Sequence, residues 1–124
     1  METSPILLFI YGTLHPDRAP REIAPVARRL KPCGMATVRG RLLDLGEYPG
    51  LLLEDAAGDR AREVPGELFE VPDAAALARL DAYEDYRPGE EAASLFLRVR
   101  TTATSADGSR LFCWVYVYNG GAPL

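Results

Sequence analysis

The fold is decided by the stretch LFLRVRTTATSADGSRLFCWVYVYN, residues 95–119. Two β-prone runs, residues 95–104 and 110–119, flank a short polar segment that contains Asp107 and Gly108. An Asp-Gly pair between two β-prone runs is one of the strongest short-range signals for a β-hairpin. The second run is apolar or aromatic at almost every position, so neither face is clearly polar, and we expect it to be an interior strand.

Four further strands are predicted on the N-terminal side of this hairpin, at residues 6–11, 34–45, 50–55 and 63–71. The first run is continuously apolar, which is typical of a strand buried on both faces. Pro65 and Gly66 interrupt the run at 63–71, which favours an edge strand or a bulge at that place. Several prolines between the first two strands leave room only for a short helix, which we expect at residues 21–30.

About six strands and one clear helix predict an α+β fold, with a mixed sheet that is closed or strongly curled into a small β-barrel and helices that flank it. The chain of 124 residues has no repeat or long linker, so we expect a single domain over residues 1–124. Cys33 and Cys113 belong to no cluster of metal-ligating residues, and we interpret both as buried. We therefore expect neither a metal ion nor a cofactor.

The charge and the hydropathy pattern exclude several classes of partner. The formal net charge is −4, with acidic and basic residues interspersed, so no basic stripe is available for nucleic acid. No run approaches the about 20 apolar residues that a membrane span needs, and the first residues lack the features of a secretory signal. We expect a cytoplasmic protein that binds neither nucleic acid nor a membrane, and the sequence predicts no oligomeric state.

The clearest helix is predicted at residues 73–85, with Asp73 as its N-cap. At about 3.6 residues per turn, Leu77, Leu80 and Glu84 lie on one face, so Glu84 continues an apolar stripe. Burial and a helix C-terminus both raise the pKa of a carboxyl group, and a glutamic acid tuned toward neutrality suits general acid/base catalysis. Glu84 is therefore the candidate catalytic residue.

Spacing alone leaves a second interpretation of Glu84 open. If the apolar stripe leaves the core at the last helical turn, the side chain reaches solvent or pairs with Arg87 or Arg98. In that case Glu84 would be an ordinary surface residue.

The first predicted strand is followed by Tyr11, Gly12, Thr13 and Leu14. Glycine permits backbone conformations in which successive N–H groups converge on an anion, such as a substrate carboxylate or an oxyanion. An ordinary strand-to-loop turn fits the same four residues. His15 comes next, but no cysteine lies within local reach of it to form a nucleophile and base pair.

Five segments, taken in order, resemble successive landmarks of the γ-glutamylcyclotransferase-like family, which includes γ-glutamylamine cyclotransferases and AIG2-like proteins. They are FIYGTL, DLGEYPGLLL, GELFEV, LDAYEDY and CWVYVYN, at residues 9–14, 44–53, 66–71, 80–86 and 113–119. The resemblance implies a β-barrel decorated by helices, with a cavity that holds the Tyr11–Leu14 loop and a catalytic glutamate at Glu84. It also implies the reaction: the α-amino group of a γ-glutamyl substrate attacks its own γ-carbonyl, which yields 5-oxoproline and a free amine.

The chain departs from the family pattern beyond the catalytic glutamate. Where relatives commonly carry Tyr-x-Arg, this sequence has Phe96, Leu97 and Arg98, so a tyrosine hydroxyl is missing. Tyr86 or Tyr116 could replace that hydroxyl, although core packing also accounts for Tyr116, and Arg98 could hold a substrate carboxylate. The alternative function is a non-catalytic domain that binds small molecules on the same scaffold.

Overall fold

The computed structural model describes residues 5–11, 18–46 and 48–120. It contains six strands: β1 (Ile6–Ile10), β2 (Lys31–Asp44), β3 (Pro49–Leu53), β4 (Arg62–Val71), β5 (Phe96–Ser105) and β6 (Arg110–Tyr118). The α-helices are α1 (Ala24–Ala27), α2 (Glu54–Ala57) and α3 (Ala74–Tyr83), and single 3-10 turns lie at Gly58–Arg60 and Glu91–Ala93. No helix in these described ranges is long and apolar enough to cross a membrane.

The strands form one mixed sheet in the order β3-β2-β4-β1-β6-β5. An additional pairing of Ala36 and Thr37 in β2 with Ser105 and Thr104 in β5 closes five of these strands into a barrel. β3 remains outside the closed ring and pairs with β2. Neighbouring strands are antiparallel except for β1 and β6, which run parallel. The predicted α+β fold with a small closed barrel of about six strands is therefore confirmed.

Two hydrophobic clusters hold the fold together, one on each face of the barrel wall. The inner cluster contains side chains from every strand, among them Phe9 and Leu68, which are almost completely buried. The outer cluster packs the other face of β1, β4 and β6 against the helices, and it contains both Leu8 of β1 and Leu80 of α3. Successive residues of β1 alternate between the two clusters because side chains alternate along a strand.

The hairpin at the C-terminal end forms as predicted. β5 and β6 pair from Phe96 opposite Tyr118 to Thr104 opposite Arg110, and β6 lies between β5 and β1 as an interior strand. In the loop between them, Gly108 has a φ of 89°, a left-handed conformation that glycine adopts easily.

The prediction of an edge strand at residues 63–71 is wrong, because β4 lies between β2 and β1. Pro65 is tolerated there because β1 pairs with β4 only over residues 67–71, so at Pro65 the neighbouring strand is β2 alone. The irregularity in this pairing lies on β2 between Pro32 and Gly34. Gly66 instead makes room for the Phe9 ring, since a Cβ on it would come within 2.5 Å of Phe9 Cζ.

Two further expectations need correction. The helix expected at residues 21–30 is a single turn, Ala24–Ala27, preceded and followed by hydrogen-bonded turns. Cys33 is exposed rather than buried, because it lies where β2 begins, next to the bulge; Cys113 is buried inside the barrel as expected.

Candidate active site

Helix α3 places Glu84 at its C-terminus. At the other end of the helix, Asp73 Oδ1 accepts a hydrogen bond from the Ala76 backbone N–H at 2.8 Å, as the predicted N-cap should. The side chain of Leu80 is completely buried, and Leu77 packs against the same cluster. The stripe predicted from spacing therefore faces the core and carries Glu84 with it.

The last turn of α3 ends in a Schellman motif that fixes the direction of Glu84, the C-cap residue. The Tyr86 N–H donates to the Asp81 carbonyl at 2.9 Å, and the Asp85 N–H donates to the Ala82 carbonyl at 3.2 Å. Asp85 has a φ of 56°, a left-handed conformation that glycine usually occupies in this motif. These bonds reverse the chain immediately after Glu84, whose charge acts on the phenols of Tyr11 and Tyr116 in β6.

Burial raises the pKa of the Glu84 carboxyl to about 7. Its charge acts in turn on two phenols, since it raises the pKa of Tyr11 and of Tyr116 beyond the larger effect of their own burial. Both tyrosines therefore stay protonated at neutral pH, while Glu84 is poised between its two forms. Such a carboxyl can accept a proton and return it.

The surface interpretation of Glu84 does not hold. The two arginines named as its possible partners bind other carboxylates: Arg87 Nε lies 3.0 Å from Asp85 Oδ1, and Arg98 Nε lies 2.7 Å from Asp81 Oδ1. No ion pair between residues in the described ranges includes Glu84. Among the residues that the structure describes, the carboxylate thus has no counter-ion that would lower its pKa.

Tyr11 joins three strands beside Glu84. Its hydroxyl donates a hydrogen bond to the Tyr116 backbone carbonyl at 2.6 Å and accepts one from the Leu51 N–H at 3.2 Å. These two bonds tie the end of β1 to β6 and β3. Tyr11 is thereby fixed at the position where the chain enters the predicted anion-binding loop.

Sequence analysis missed Asp81, which is buried with only 6% of its surface exposed. Its carboxylate accepts three hydrogen bonds, at 2.7 and 3.2 Å from Arg98 and at 2.7 Å from the Tyr116 hydroxyl. A signal for this residue was present in the spacing, because Asp81 lies four positions after Leu77 and three before Glu84 on the same helix face. The buried face of α3 therefore carries two carboxylates, Asp81 and Glu84.

The structure describes some of the predicted substrate-binding residues and not others. Gly12, Thr13 and Leu14 fall outside the described residues, so their role in anion binding stays a prediction. Arg98 and Tyr116, predicted to bind substrate, are both bonded to Asp81, and that role too stays a prediction.

Phe96, which stands where the resemblance led us to expect a tyrosine, is part of the core. Phe96 is 4% exposed, and its ring centroid lies 5.9 Å from that of Tyr48 and 6.0 Å from that of Tyr118. A hydroxyl at this position would enter an aromatic cluster.

No group of three or more metal-ligating side chains occurs in the part of the chain that the structure describes.

Comparison with known proteins gives one family and several similar folds. Residues 8–123 match the family described as gamma-glutamyl cyclotransferase, AIG2-like. None of the curated protein sequences matches the chain significantly. Among solved structures, an AIG2-like protein from Mus musculus has a TM-score of 0.76 and 25% identity, and the match covers 98% of this chain and 82% of that chain.

Two further structures share the fold at lower identity. A structure described as gamma-glutamyl cyclotransferase has a TM-score of 0.64 and 16% identity over 94% of this chain and 68% of that chain. YkqA from Bacillus subtilis has a TM-score of 0.68 and 19% identity over 94% of this chain and 36% of that chain, so this chain spans about a third of YkqA. Because the family match extends over nearly the whole sequence, the chain belongs to the gamma-glutamyl cyclotransferase, AIG2-like family.

Proposed function

We propose that the protein is a γ-glutamylcyclotransferase that converts a γ-glutamyl amine or peptide into 5-oxoproline and a free amine, with Glu84 as general acid/base. The observation that carries the proposal is a buried carboxyl with a pKa of about 7, at a helix end, beside the protonated phenol of Tyr11. Membership of the family supports the reaction class. The proposed substrate is a small γ-glutamyl compound, and the released amine can be a simple amine or a peptide.

In the first half of the reaction, the Glu84 carboxylate accepts a proton from the α-ammonium group of the substrate. The freed amine attacks the γ-carbonyl carbon, so a new C–N bond forms and the carbonyl oxygen becomes an oxyanion. The backbone N–H groups of Gly12, Thr13 and Leu14 are the proposed donors to this oxyanion or to the substrate carboxylate. Because the nucleophile is tethered to its target, orientation alone can lower the barrier by about 7 to 11 kcal/mol.

In the second half, the oxyanion re-forms the carbonyl and the bond to the leaving nitrogen breaks. Glu84 returns its proton to that nitrogen, so the amine leaves as a neutral group rather than as an anion. The second proton lost from the α-nitrogen is taken up by the released amine. No net proton is gained or lost at Glu84, which is ready for the next turnover.

The test is incubation of the wild-type protein and the Glu84→Gln variant with a panel of γ-glutamyl amines and dipeptides, followed by measurement of 5-oxoproline. Since a positioned acid/base contributes about 10²- to 10⁴-fold, we expect kcat/KM of the variant to fall by at least about 100-fold. Glu90→Gln is the matched control, because that carboxylate is exposed. Its kcat/KM should equal that of the wild type.

Two outcomes would contradict the proposal in different ways. Equal product from wild type and Glu84→Gln would remove Glu84 from the mechanism. No product from either protein with any substrate, together with calorimetric binding of a γ-glutamyl compound, would instead favour a non-catalytic binding domain on the same scaffold.

A further inference from the structure

The carboxylate of Asp81 is a second buried acidic group on the same helix face as Glu84. It accepts hydrogen bonds from Arg98 Nε at 2.7 Å, from Arg98 Nη2 at 3.2 Å and from the Tyr116 hydroxyl at 2.7 Å. The guanidinium thus binds both oxygens in the bidentate manner that gives the strongest Arg–carboxylate pairs. The proposed reaction gives this ion pair no chemical step.

Arg98 is held in place on its other faces by aromatic rings. Its guanidinium carbon lies 4.3 Å from the ring centroid of Trp114 and 5.6 Å from that of Tyr86. The Arg98 side chain is 15% exposed. A charge this well covered by protein acts strongly on its neighbours unless a carboxylate neutralises it.

Asp81 and Glu84 lie three residues apart, a spacing at which helical side chains are neighbours. The Asp81 backbone carbonyl also accepts the hydrogen bond that closes the turn after Glu84. The charges of Asp81, Glu84 and Arg98 all act on the phenol of Tyr116, so the cation that Asp81 binds lies in the same neighbourhood as the proposed acid/base. With Asp81 charged, the Asp81–Arg98 pair is neutral overall. Without that charge, Arg98 would place an unbalanced positive charge near Glu84.

We propose that Asp81 is a positioning residue: its carboxylate holds Arg98 and the Tyr116 hydroxyl, neutralises the guanidinium, and so keeps Glu84 free of a cationic partner. The proposal rests on the proposed function of Glu84 as an acid/base. Asp81 itself touches neither substrate nor the reacting atoms. It acts on the reaction only through the charge that it cancels.

Several charged or titratable groups lie around Glu84 and the Asp81–Arg98 pair, and a test has to separate their effects. Among the described residues these are Tyr11 from β1, Tyr116 from β6, Arg98 from β5, Asp81 from α3, and Asp85 from the turn after it. The two phenols are neutral at neutral pH. Asp85 is paired with the exposed Arg87, so water screens both charges.

The experiment follows the titration of the Glu84 carboxyl by carbon NMR, in the full chain labelled at glutamate, with Glu84→Gln to assign the signal. In Asp81→Asn the unpaired guanidinium should lower the Glu84 midpoint by at least about half a pH unit. In Arg98→Met the unpaired Asp81 carboxylate should raise it by a similar amount. The double variant Asp81→Asn/Arg98→Met should return the midpoint close to that of the wild type.

Asp85→Asn is the matched control, since it removes a carboxylate next to Glu84 and asparagine also tolerates the left-handed conformation. Its effect on the midpoint should be much smaller than that of Asp81→Asn, because the Asp85 pair is exposed. The same variants are assayed for 5-oxoproline, and the pH at which kcat/KM is half-maximal should move with the NMR midpoint.

The proposal would be overturned if the Glu84 midpoint moved in the same direction in Asp81→Asn and Arg98→Met, or moved in neither variant. Either result would indicate a purely structural role for Asp81. If Asp81→Asn does not fold, the comparison of Arg98→Met with the double variant decides, because only charge cancellation restores the midpoint. The NMR midpoint is independent of turnover. Absence of 5-oxoproline with opposed shifts would therefore contradict the proposed function while supporting the role of Asp81.

Discussion

Glu84 is governed at the scale of the residue by the loss of water around its carboxyl. Burial is the cause of its raised pKa, because removal from water favours the protonated, neutral form of the carboxyl group. Tyr11 and Tyr116 lie near it and stay neutral, so neither phenol places a charge beside the carboxyl. The resulting pKa of about 7 makes both protonation states available at physiological pH.

We expect the rate to follow the protonation of Glu84. Because the carboxylate is the form that accepts the ammonium proton, kcat/KM should rise as the pH increases and reach half of its plateau near pH 7. The measurement is the initial rate of 5-oxoproline formation from pH 5 to 9. A profile that is flat across this range would indicate that a different group takes the proton.

The stability of the folded protein should fall with increasing pH over the range in which kcat/KM rises, because both depend on the protonation of Glu84. The folded-state pKa of Glu84, about 7, lies above the ordinary value of 4.5, so between these values the folded state binds more protons than the unfolded state. The free energy of unfolding of the wild type should fall as the pH rises through this window, by up to about 3 kcal/mol.

Glu84→Gln, which mimics the protonated form, should lack this loss. The variant should therefore be more stable than the wild type above pH 7 and close to it below pH 4.5. Urea unfolding of both proteins at a series of pH values measures the difference. A difference independent of pH would contradict the buried environment of Glu84.

At the scale of the element, the last turn of α3 decides where the acid/base points. The Schellman motif requires a left-handed residue directly after Glu84, and Asp85 occupies that position with a φ of 56°. Its side chain accepts a hydrogen bond from Arg87 Nε at 3.0 Å, which offsets part of the backbone strain. The turn thus keeps a less favourable residue than glycine beside the candidate catalytic group.

Substitutions of Asp85 should separate backbone strain from side-chain interaction. We expect Asp85→Gly to be more stable than Asp85→Ala by about 1 kcal/mol, because glycine adopts the left-handed conformation without a Cβ penalty and alanine does not. Thermal unfolding of the two variants measures the difference. Equal stabilities would mean that the left-handed conformation is not maintained in the folded variants.

At the scale of the whole molecule, the barrel depends on close contact between β1 and β4. A Cβ on Gly66 would lie 2.5 Å from Phe9 Cζ and 2.7 Å from the Ile10 carbonyl oxygen, which belongs to the backbone and cannot rotate away. Phe9 fills the interior of the barrel, and Tyr11, which directly follows β1, lies beside the acid/base. Packing inside the barrel and geometry at the site are therefore coupled through β1.

Gly66→Ala should lower the free energy of unfolding by about 1 to 3 kcal/mol, since the added methyl group overpacks the interior. Gly50→Ala is the comparison, because there the nearest atom to an added Cβ is the end of the flexible Leu45 side chain. Its cost should be smaller. Chemical denaturation of both variants tests this order, and a reversed order would contradict the packing of Phe9 on Gly66.

Local pattern was sufficient for much of the fold. The Asp-Gly turn between two β-prone runs predicted the β5–β6 hairpin, and Asp73 with the apolar spacing predicted α3 and the inward face of Glu84. These features depend on residues within one or two turns of each other, so their period in the sequence reveals them. The edge position predicted for β4 failed because the pairing of β4 with β1 joins segments about 60 residues apart.

Local sequence pattern was enough to predict the strands, the one long helix and the position of Glu84 on the apolar face of that helix. How deeply the Glu84 carboxylate is buried, and what surrounds it, depends on tertiary packing. Asp81 meets Arg98 and Tyr116, which lie 17 and 35 positions further along the chain, because β5 and β6 pass beside the end of α3 in the folded molecule. Spacing records neighbours along a helix or strand, whereas charge pairing and desolvation depend on which distant segments the barrel brings together.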